Sequence, residues 1–230
     1  MEKLEFEKEK VKLEQTINII KEILQDEKLD LKNLYNNFIG DREELWRIAD
    51  RKKLHISNLE VSQNNPYFAR IDFTSDDDGK ISTIYIGKNG VMKDTNIIVT
   101  DWRAPISSLY YDAEVGRCGY QAPSGRIDGE MSLKRQYEIE NGILQEYFDV
   151  NLVSNDGLLQ KYLNDNNDAR LKTIVSTIQK EQNDVIRKKM SDNIIVQGVA
   201  GSGKTTVALH RIAYLVYQNK DKIDLNIVFY

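Results

Sequence analysis

The sequence reads Ile194-Ile195-Val196-Gln197-Gly198-Val199-Ala200-Gly201-Ser202-Gly203-Lys204-Thr205, an apolar run followed by a glycine-rich loop. The last eight residues have the spacing G-x-x-x-x-G-K-[ST], in which glycines let successive backbone N–H groups point at one anion. The apolar run predicts a short buried strand. The pattern from Lys204 to about Tyr217 predicts an amphipathic helix whose positive end faces the same anion. This order predicts a phosphate-binding loop (P-loop) at the start of a parallel α/β domain.

The loop and the first helical residues form the predicted site for a nucleoside triphosphate. Lys204 is expected to reach the β- and γ-phosphates as a point charge, and the hydroxyl of Thr205 is expected to ligate the Mg²⁺ that accompanies ATP or GTP. These two residues are the predicted catalytic ones. The residues predicted to bind nucleotide in and after the loop are Gly198, Val199, Ala200, Gly201, Ser202, Gly203, Lys204, Thr205 and Thr206.

Gln182 is a further candidate, on a predicted helix that includes Ile178, Val185 and Ile186. A side-chain amide can both donate to and accept from one edge of adenine, which would make it specific for that base. On the residues alone, the alternative is favoured: an exposed glutamine on a charged helix.

The N-terminal segment has the periodicity of a helix with one apolar stripe. Its apolar residues recur at alternating steps of four and three, interrupted only by Glu27, and they are Leu13, Ile17, Ile20, Leu24, Leu31, Leu34 and Phe38. This spacing is typical of a coiled-coil seam. Gly40 breaks the pattern, and Asp41 is a predicted N-cap for a second helix that turns Leu45, Ile48 and Leu59 inward. We expect residues 1–60 to form a projecting antiparallel hairpin that can be removed. The alternative is two amphipathic helices packed on a core.

Residues 61–154 have the texture of a small, mostly antiparallel β unit. Short apolar runs at 68–73, 81–86 and 96–100 are separated by turn-forming residues, and Asn141-Gly142 predicts a tight hairpin. Within this unit, Asp101-Trp102-Arg103-Ala104-Pro105-Ile106 is interpreted as a structural corner rather than a functional site, because no nucleophile–base pair lies nearby. Tyr110, Tyr111, Tyr120 and Tyr137 could stack bases, but core packing is favoured.

Composition excludes several classes of protein. The chain has 230 residues, 30% of them charged, and its single cysteine, Cys118, excludes an internal disulfide and a cysteine-based zinc site. The sequence contains neither an apolar run long enough for a membrane helix nor a signal-peptide core, so we expect a cytoplasmic protein that does not associate with membranes. Residues 170–230 hold ten basic and five acidic side chains, which is compatible with polyanionic ligands.

The sequence resembles the HelD-type helicases, relatives of the UvrD/Rep group in superfamily one. Four stretches carry this resemblance: Pro66–Phe73, Asp101–Tyr111, Ile174–Gln182, and Val196 through the loop to Leu215. The resemblance implies that Gln182 is the glutamine that reads adenine. It also implies an ATP- or GTP-hydrolysing protein that binds bacterial RNA polymerase through residues 1–60 and acts on nucleic acid through its full-length motor.

The resemblance covers the N-terminal portion of such a protein. We expect a mixed α/β architecture: a helical hairpin (1–60), a β unit (61–154) and the first part of a P-loop NTPase motor domain (155–230). The acidic Mg²⁺ motif and the arginine fingers of the family lie beyond Tyr230, so we expect these 230 residues alone not to hydrolyse ATP. Two alternatives remain open, a DNA-unwinding helicase without a polymerase role and a non-catalytic module that binds nucleotide or a partner.

Overall fold

The computed structural model describes residues 2–150, 180–199 and 201–219. Two long helices come first, α1 (Glu2–Asn37) and α2 (Arg42–Asn64). Seven strands follow: β1 (Ala69–Ser75), β2 (Ile81–Gly87), β3 (Val91–Lys93), β4 (Asn96–Asp101), β5 (Gly116–Ala122), β6 (Gly125–Glu140) and β7 (Ile143–Asp149). A 3-10 turn (Pro105–Ser107) and helix α3 (Ser108–Asp112) connect β4 to β5. After the sheet the structure describes α4 (Lys180–Arg187) and α5 (Lys204–Gln218).

The seven strands form one sheet in the order β3-β4-β2-β1-β6-β5, with β7 also paired to β6. All pairs are antiparallel except β2 with β4, so the prediction of a small, mostly antiparallel β unit is confirmed. The turn between β6 and β7 places Asn141 at φ 52° and Gly142 at φ 76°. Two successive positive φ values are what the tightest hairpin turns require, so the Asn-Gly signal is confirmed as well.

The first two helices form the predicted antiparallel hairpin. Asp41 caps α2, accepting a hydrogen bond from the backbone N–H of Glu43 at 3.4 Å. Glu27, which interrupts the apolar stripe of α1, accepts a bond from Lys52 Nζ of α2 at 2.8 Å. The helical hairpin extends to Asn64, four residues beyond its predicted end.

The apolar stripe of α1 does not have the same surroundings along its length. In the hairpin base (residues 2–24 and 56–64), Leu13 and Ile20 share one core with Leu59 of α2 and with Tyr67 and Tyr137 of the sheet unit. In the hairpin tip (residues 29–54), the stripe is only half-buried at Leu31, Leu34 and Phe38. The tip therefore projects, as the hairpin prediction has it. The base instead packs on a core, as the alternative prediction has it. The predicted boundary at residue 60 does not separate two cores.

A second core lies where α3, α4 and α5 meet the sheet. Its buried residues include Ile71, Trp102, Leu109, Ile186 and Val207. Tyr110 and Tyr111 belong to it, Tyr137 belongs to the core of the hairpin base, and the half-buried Tyr120 packs edge-on against Phe73 with ring centroids 6.0 Å apart. The four tyrosines pack in cores, as favoured above, and do not form an exposed stacking platform.

The structure corrects one predicted element, the buried strand at 194–197. These residues are irregular, and Ile195 is 89% exposed. A strand is stable only with a hydrogen-bonded neighbour, and no segment within 2–150, 180–199 or 201–219 pairs with this one. The helix expected from Lys204 is confirmed as α5. The predicted helical residues Ile174 and Ile178 lie outside the described residues. In the described part of the chain, no helix combines the length and apolarity needed to cross a membrane.

Candidate functional site

The glycine-rich loop leads directly into α5. Gly201 and Gly203 have φ values of 83° and 81°, a region that residues with a side chain rarely adopt, and Gly203 is the N-cap of α5. The first helical residues, Lys204 and Thr205, therefore follow the turn immediately, where unpaired backbone N–H groups and the helix dipole favour an anion. Ala200 lies outside the described residues. The structure describes the loop up to Val199 and again from Gly201.

Lys204 folds back across the loop. Its Nζ donates to the backbone carbonyls of Gly198 at 2.9 Å and Val199 at 2.7 Å, and it lies 3.5 Å from Ser202 Oγ. These bonds hold the ammonium over the loop at the start of the helix. Thr205 is exposed in the first turn of α5, and Thr206 beside it is half-buried. The cation, the hydroxyl groups and the helix N-terminus therefore occupy one place.

Gln182 lies beside the same loop. A Cβ atom built on Gly203 would stand 3.5 Å from Gln182 Nε2, so the amide of α4 borders the turn that starts α5. Gln182 is half-buried. The structure thus places side by side the two segments that the sequence analysis had linked only through a family resemblance.

The residue after Gln182 attaches α4 to the β unit. Asn183 is fully buried, and its Nδ2 donates to Asp112 Oδ1 at 2.7 Å. Its Oδ1 accepts a bond from Arg187 Nε at 2.9 Å. Burial raises the pKa of Asp112, although the bond from Asn183 and the charge of Arg187 act in the opposite direction. Neighbouring side chains of α4 therefore border the loop, at Gln182, and bind the β unit, at Asn183.

The segment 101–106 is a structural corner, as interpreted from the sequence. Asp101 is buried and accepts bonds from the backbone N–H, Nε and Nη2 of Arg103. The outer side of the corner offers carbonyl groups to Arg187, which donates to Trp102 O at 2.6 Å and Ala104 O at 3.2 Å. The Trp102 ring packs edge-on against His210 of α5, with centroids 5.4 Å apart. The corner is thus the place where the β unit supports α4 and α5.

Arg211 is a supporting residue that the sequence analysis missed. From α5 its guanidinium donates to four backbone carbonyls at and after the end of α4, those of Val185, Ile186, Lys188 and Lys189, at 2.9 to 3.3 Å. Carbonyls at a helix C-terminus lack partners within the helix, and a cation there is favourable. The only local signal was a basic residue in a largely apolar helix. Arg211 therefore fixes α4, and with it Gln182, against the helix of the loop.

No group of three or more His, Cys, Asp or Glu side chains that could hold a metal ion is found among the described residues. The Mg²⁺ role of Thr205 stays a prediction from the sequence, and its exposed hydroxyl oxygen is a chemically suitable ligand for that ion.

Comparison with known proteins bears on the hairpin and the sheet. The family model described as the N-terminal domain of DNA helicase IV HelD matches residues 6–168. This range contains most of α1, all of α2 and the entire sheet, and it ends before the glycine-rich loop. No match was found among curated protein sequences. The family model covers more than half of the chain, and the chain therefore belongs to the HelD helicase family.

Proposed function

We propose that this chain works as the N-terminal part of an ATP-dependent, helicase-like NTPase, which binds a nucleoside triphosphate with Mg²⁺ through residues 198–205 and engages bacterial RNA polymerase through its helical hairpin. Membership of the HelD family supports the helicase class. The observation that carries nucleotide binding is the meeting of Lys204, the N-terminus of α5 and Gln182 at one loop.

The loop, the first turn of α5 and Gln182 each have a distinct role in this proposal. Backbone N–H groups of the loop and of the first turn of α5 hold the phosphates. Lys204 exchanges its carbonyl partners for phosphate oxygens, and charge-assisted bonds of this kind are the stronger ones. Thr205 supplies an oxygen ligand to Mg²⁺, which would neutralise charge on the phosphates. Gln182 pairs with the base and favours ATP over GTP.

The polymerase role rests on the hairpin tip. Ile39 is 99% exposed between the two helices, and Trp46 is 54% exposed with Arg42 above its ring at 5.2 Å. Tryptophan and arginine are enriched among the residues that dominate protein–protein binding energies. The tip thus supports a protein contact, and the resemblance to HelD-type helicases indicates RNA polymerase as the partner. Nucleic acid is engaged by the full-length motor.

A second candidate function is favoured by the family's description as a DNA helicase. In that function the full-length motor unwinds DNA and the hairpin does not contact polymerase. The two functions share the nucleotide site and differ in whether the motor unwinds DNA and whether the hairpin tip contacts polymerase.

Calorimetric titration of the chain with ATP and Mg²⁺ tests the nucleotide site. We expect Lys204→Ala to weaken binding at least tenfold, about 1.4 kcal/mol, because the phosphates lose their main side-chain cation. Lys189→Ala, which removes an exposed lysine outside the loop, is the matched control and should leave affinity unchanged. Equal affinities for the wild type and Lys204→Ala would refute the assignment, as would absence of binding by the wild type.

The base-reading role of Gln182 is tested in the same titration. We expect Gln182→Ala to weaken ATP about fivefold, the worth of roughly one hydrogen bond, and to leave inorganic tripolyphosphate unaffected. An equal loss for both ligands would mean that Gln182 supports the loop and does not read the base.

A further inference from the structure

Glu9 of α1 is a buried carboxylate that faces the sheet. Its residue is only 2% exposed, and four donors from the sheet unit surround it. Arg70 Nη1 donates at 2.6 Å and Arg135 Nη1 at 2.8 Å, while the hydroxyl of Tyr137 donates at 2.7 Å and that of Tyr85 at 3.3 Å. We call these five residues the Glu9 cluster. Burial, and then the charge of Glu9, raises the pKa of Tyr85 to about 12, so its hydroxyl keeps its proton at neutral pH.

The sheet fixes the donors before α1 meets them. Arg70 of β1 is paired in register with Tyr85 of β2 on one side and with Arg135 of β6 on the other. Each arginine is also held by a carboxylate on the sheet. Arg70 donates to both oxygens of Asp72, and Arg135 donates to both oxygens of Asp149. The guanidinium groups therefore present a fixed target for carboxylates of α1: Glu9 binds both of them, and the half-buried Glu5 binds Arg135 Nη1 at 3.2 Å.

This cluster gives the contact between α1 and the sheet a direction that apolar packing does not supply. Apolar burial around Leu13 and Ile20 is non-directional, so small sliding or rotation of α1 costs little of it. The same movement would separate Glu9 from its partners and leave buried charges unpaired, which is strongly unfavourable. A buried ion pair of this kind contributes little net stability compared with apolar residues, and its best-attested use is to specify register.

We propose that Glu9 is a positioning residue that sets the direction in which the hairpin leaves the sheet and thereby presents the hairpin tip to its partner. The lever is long. With a rise of about 1.5 Å per residue, α1 extends about 40 Å from Glu9 to Asn37, so a rotation of about 10° at the base moves the tip by about 7 Å. The role of Glu9 in setting the hairpin direction is inferred from the contacts of the Glu9 cluster alone. The effect of that direction on partner binding rests on the proposed function.

The direction is measured as a distance between spin labels at the tip and on the sheet. In the full chain with Cys118→Ser, the spin labels are attached to cysteines that replace the exposed residues Asn36 and Ser82. Glu9→Gln keeps the size of the side chain but turns an amide N–H₂ group toward cationic donors. We expect its distance distribution to shift or broaden by about 5 Å or more relative to the unsubstituted chain. A distribution unchanged by Glu9→Gln would overturn the proposal.

Two controls separate position from stability. Glu14→Gln removes an exposed carboxylate from the same helix and should leave the distribution unchanged. Leu59→Ala destabilises the same core but keeps the Glu9 cluster, and it should also leave the distribution narrow. Equal broadening by Leu59→Ala and Glu9→Gln would overturn the proposal, because any loosening of the core would then suffice. If circular dichroism shows that Glu9→Gln does not fold, Glu9→Asp takes its place with the same expectation, since its shorter carboxylate cannot reach every donor.

Binding of core RNA polymerase tests the benefit to the partner. If Glu9→Gln leaves about a tenth of the molecules with the hairpin in the competent direction, the apparent Kd rises about tenfold. An unchanged Kd together with a broadened distribution would overturn the role of direction in binding. Absence of polymerase binding by the wild type would instead refute the proposed polymerase role, while the distances would still decide whether Glu9 sets the direction of the hairpin.

Discussion

The base and the tip of the hairpin have one sequence pattern and two environments. Leu13 and Ile20 in the base are almost fully buried on the sheet, whereas Leu31 and Leu34 in the tip continue the same stripe and remain half-buried. The base also holds Glu9, whose charge is satisfied inside the core, and the tip exposes Ile39. The difference shows that a helical period identifies an apolar face but does not say what covers it.

Removing the base is expected to have the largest effect on the fold. A chain that starts at Ser62 would expose Tyr67, Tyr85 and Tyr137 and would leave Arg70 and Arg135 without Glu9. We therefore expect it to lose its cooperative urea transition, measured by circular dichroism. This replaces the expectation that residues 1–60 are removable.

The matched control for that deletion removes only the tip. A chain with residues 29–54 replaced by a short glycine–serine linker keeps both halves of the base, and we expect it to unfold cooperatively. Cooperative unfolding of the chain that starts at Ser62 would show that the sheet is stable without α1 and α2. The base would then be as dispensable for the fold as the tip.

A smaller effect is expected from single ion pairs. Arg135→Ala removes one of the two guanidinium groups that pair with the buried Glu9 and both bonds to Asp149, and we expect it to lower the free energy of unfolding by about 3–5 kcal/mol. Lys28→Ala breaks an exposed pair with Glu60, which should cost about 0–1 kcal/mol. Chemical denaturation of both variants measures the contrast. Similar losses for the two would mean that the buried cluster has no special role in the base.

Sequence rules found the features that depend on a few neighbouring residues. The cap at Asp41, the turn at Asn141-Gly142 and the positive φ values of the glycine loop all follow from local chemistry. The same rules did not find the Glu9 cluster, because Arg70 and Arg135 lie 61 and 126 residues away from Glu9.

The candidate site likewise contains features that neighbouring residues predict and features that only the fold shows. The spacing of the loop identified Lys204, but only the fold shows Arg211 fixing α4 against α5. The strand expected at 194–197 failed for a related reason, since an apolar run becomes a strand only beside a partner. Gln182 was indicated by family resemblance and not by its own neighbours in the sequence.

Substitutions at the exposed tip are expected to have the smallest effect on stability and the clearest effect on binding. Because Ile39 and Trp46 are exposed, the double variant Ile39→Ser, Trp46→Ala should change the free energy of unfolding by no more than about 0.5 kcal/mol per site. Capture of purified RNA polymerase by this variant and by the wild type, at equal concentration, measures how much the hairpin tip contributes to polymerase binding. We expect at least a tenfold loss of affinity with an unchanged unfolding curve. Undiminished capture would contradict it and would place the polymerase contact elsewhere in the chain.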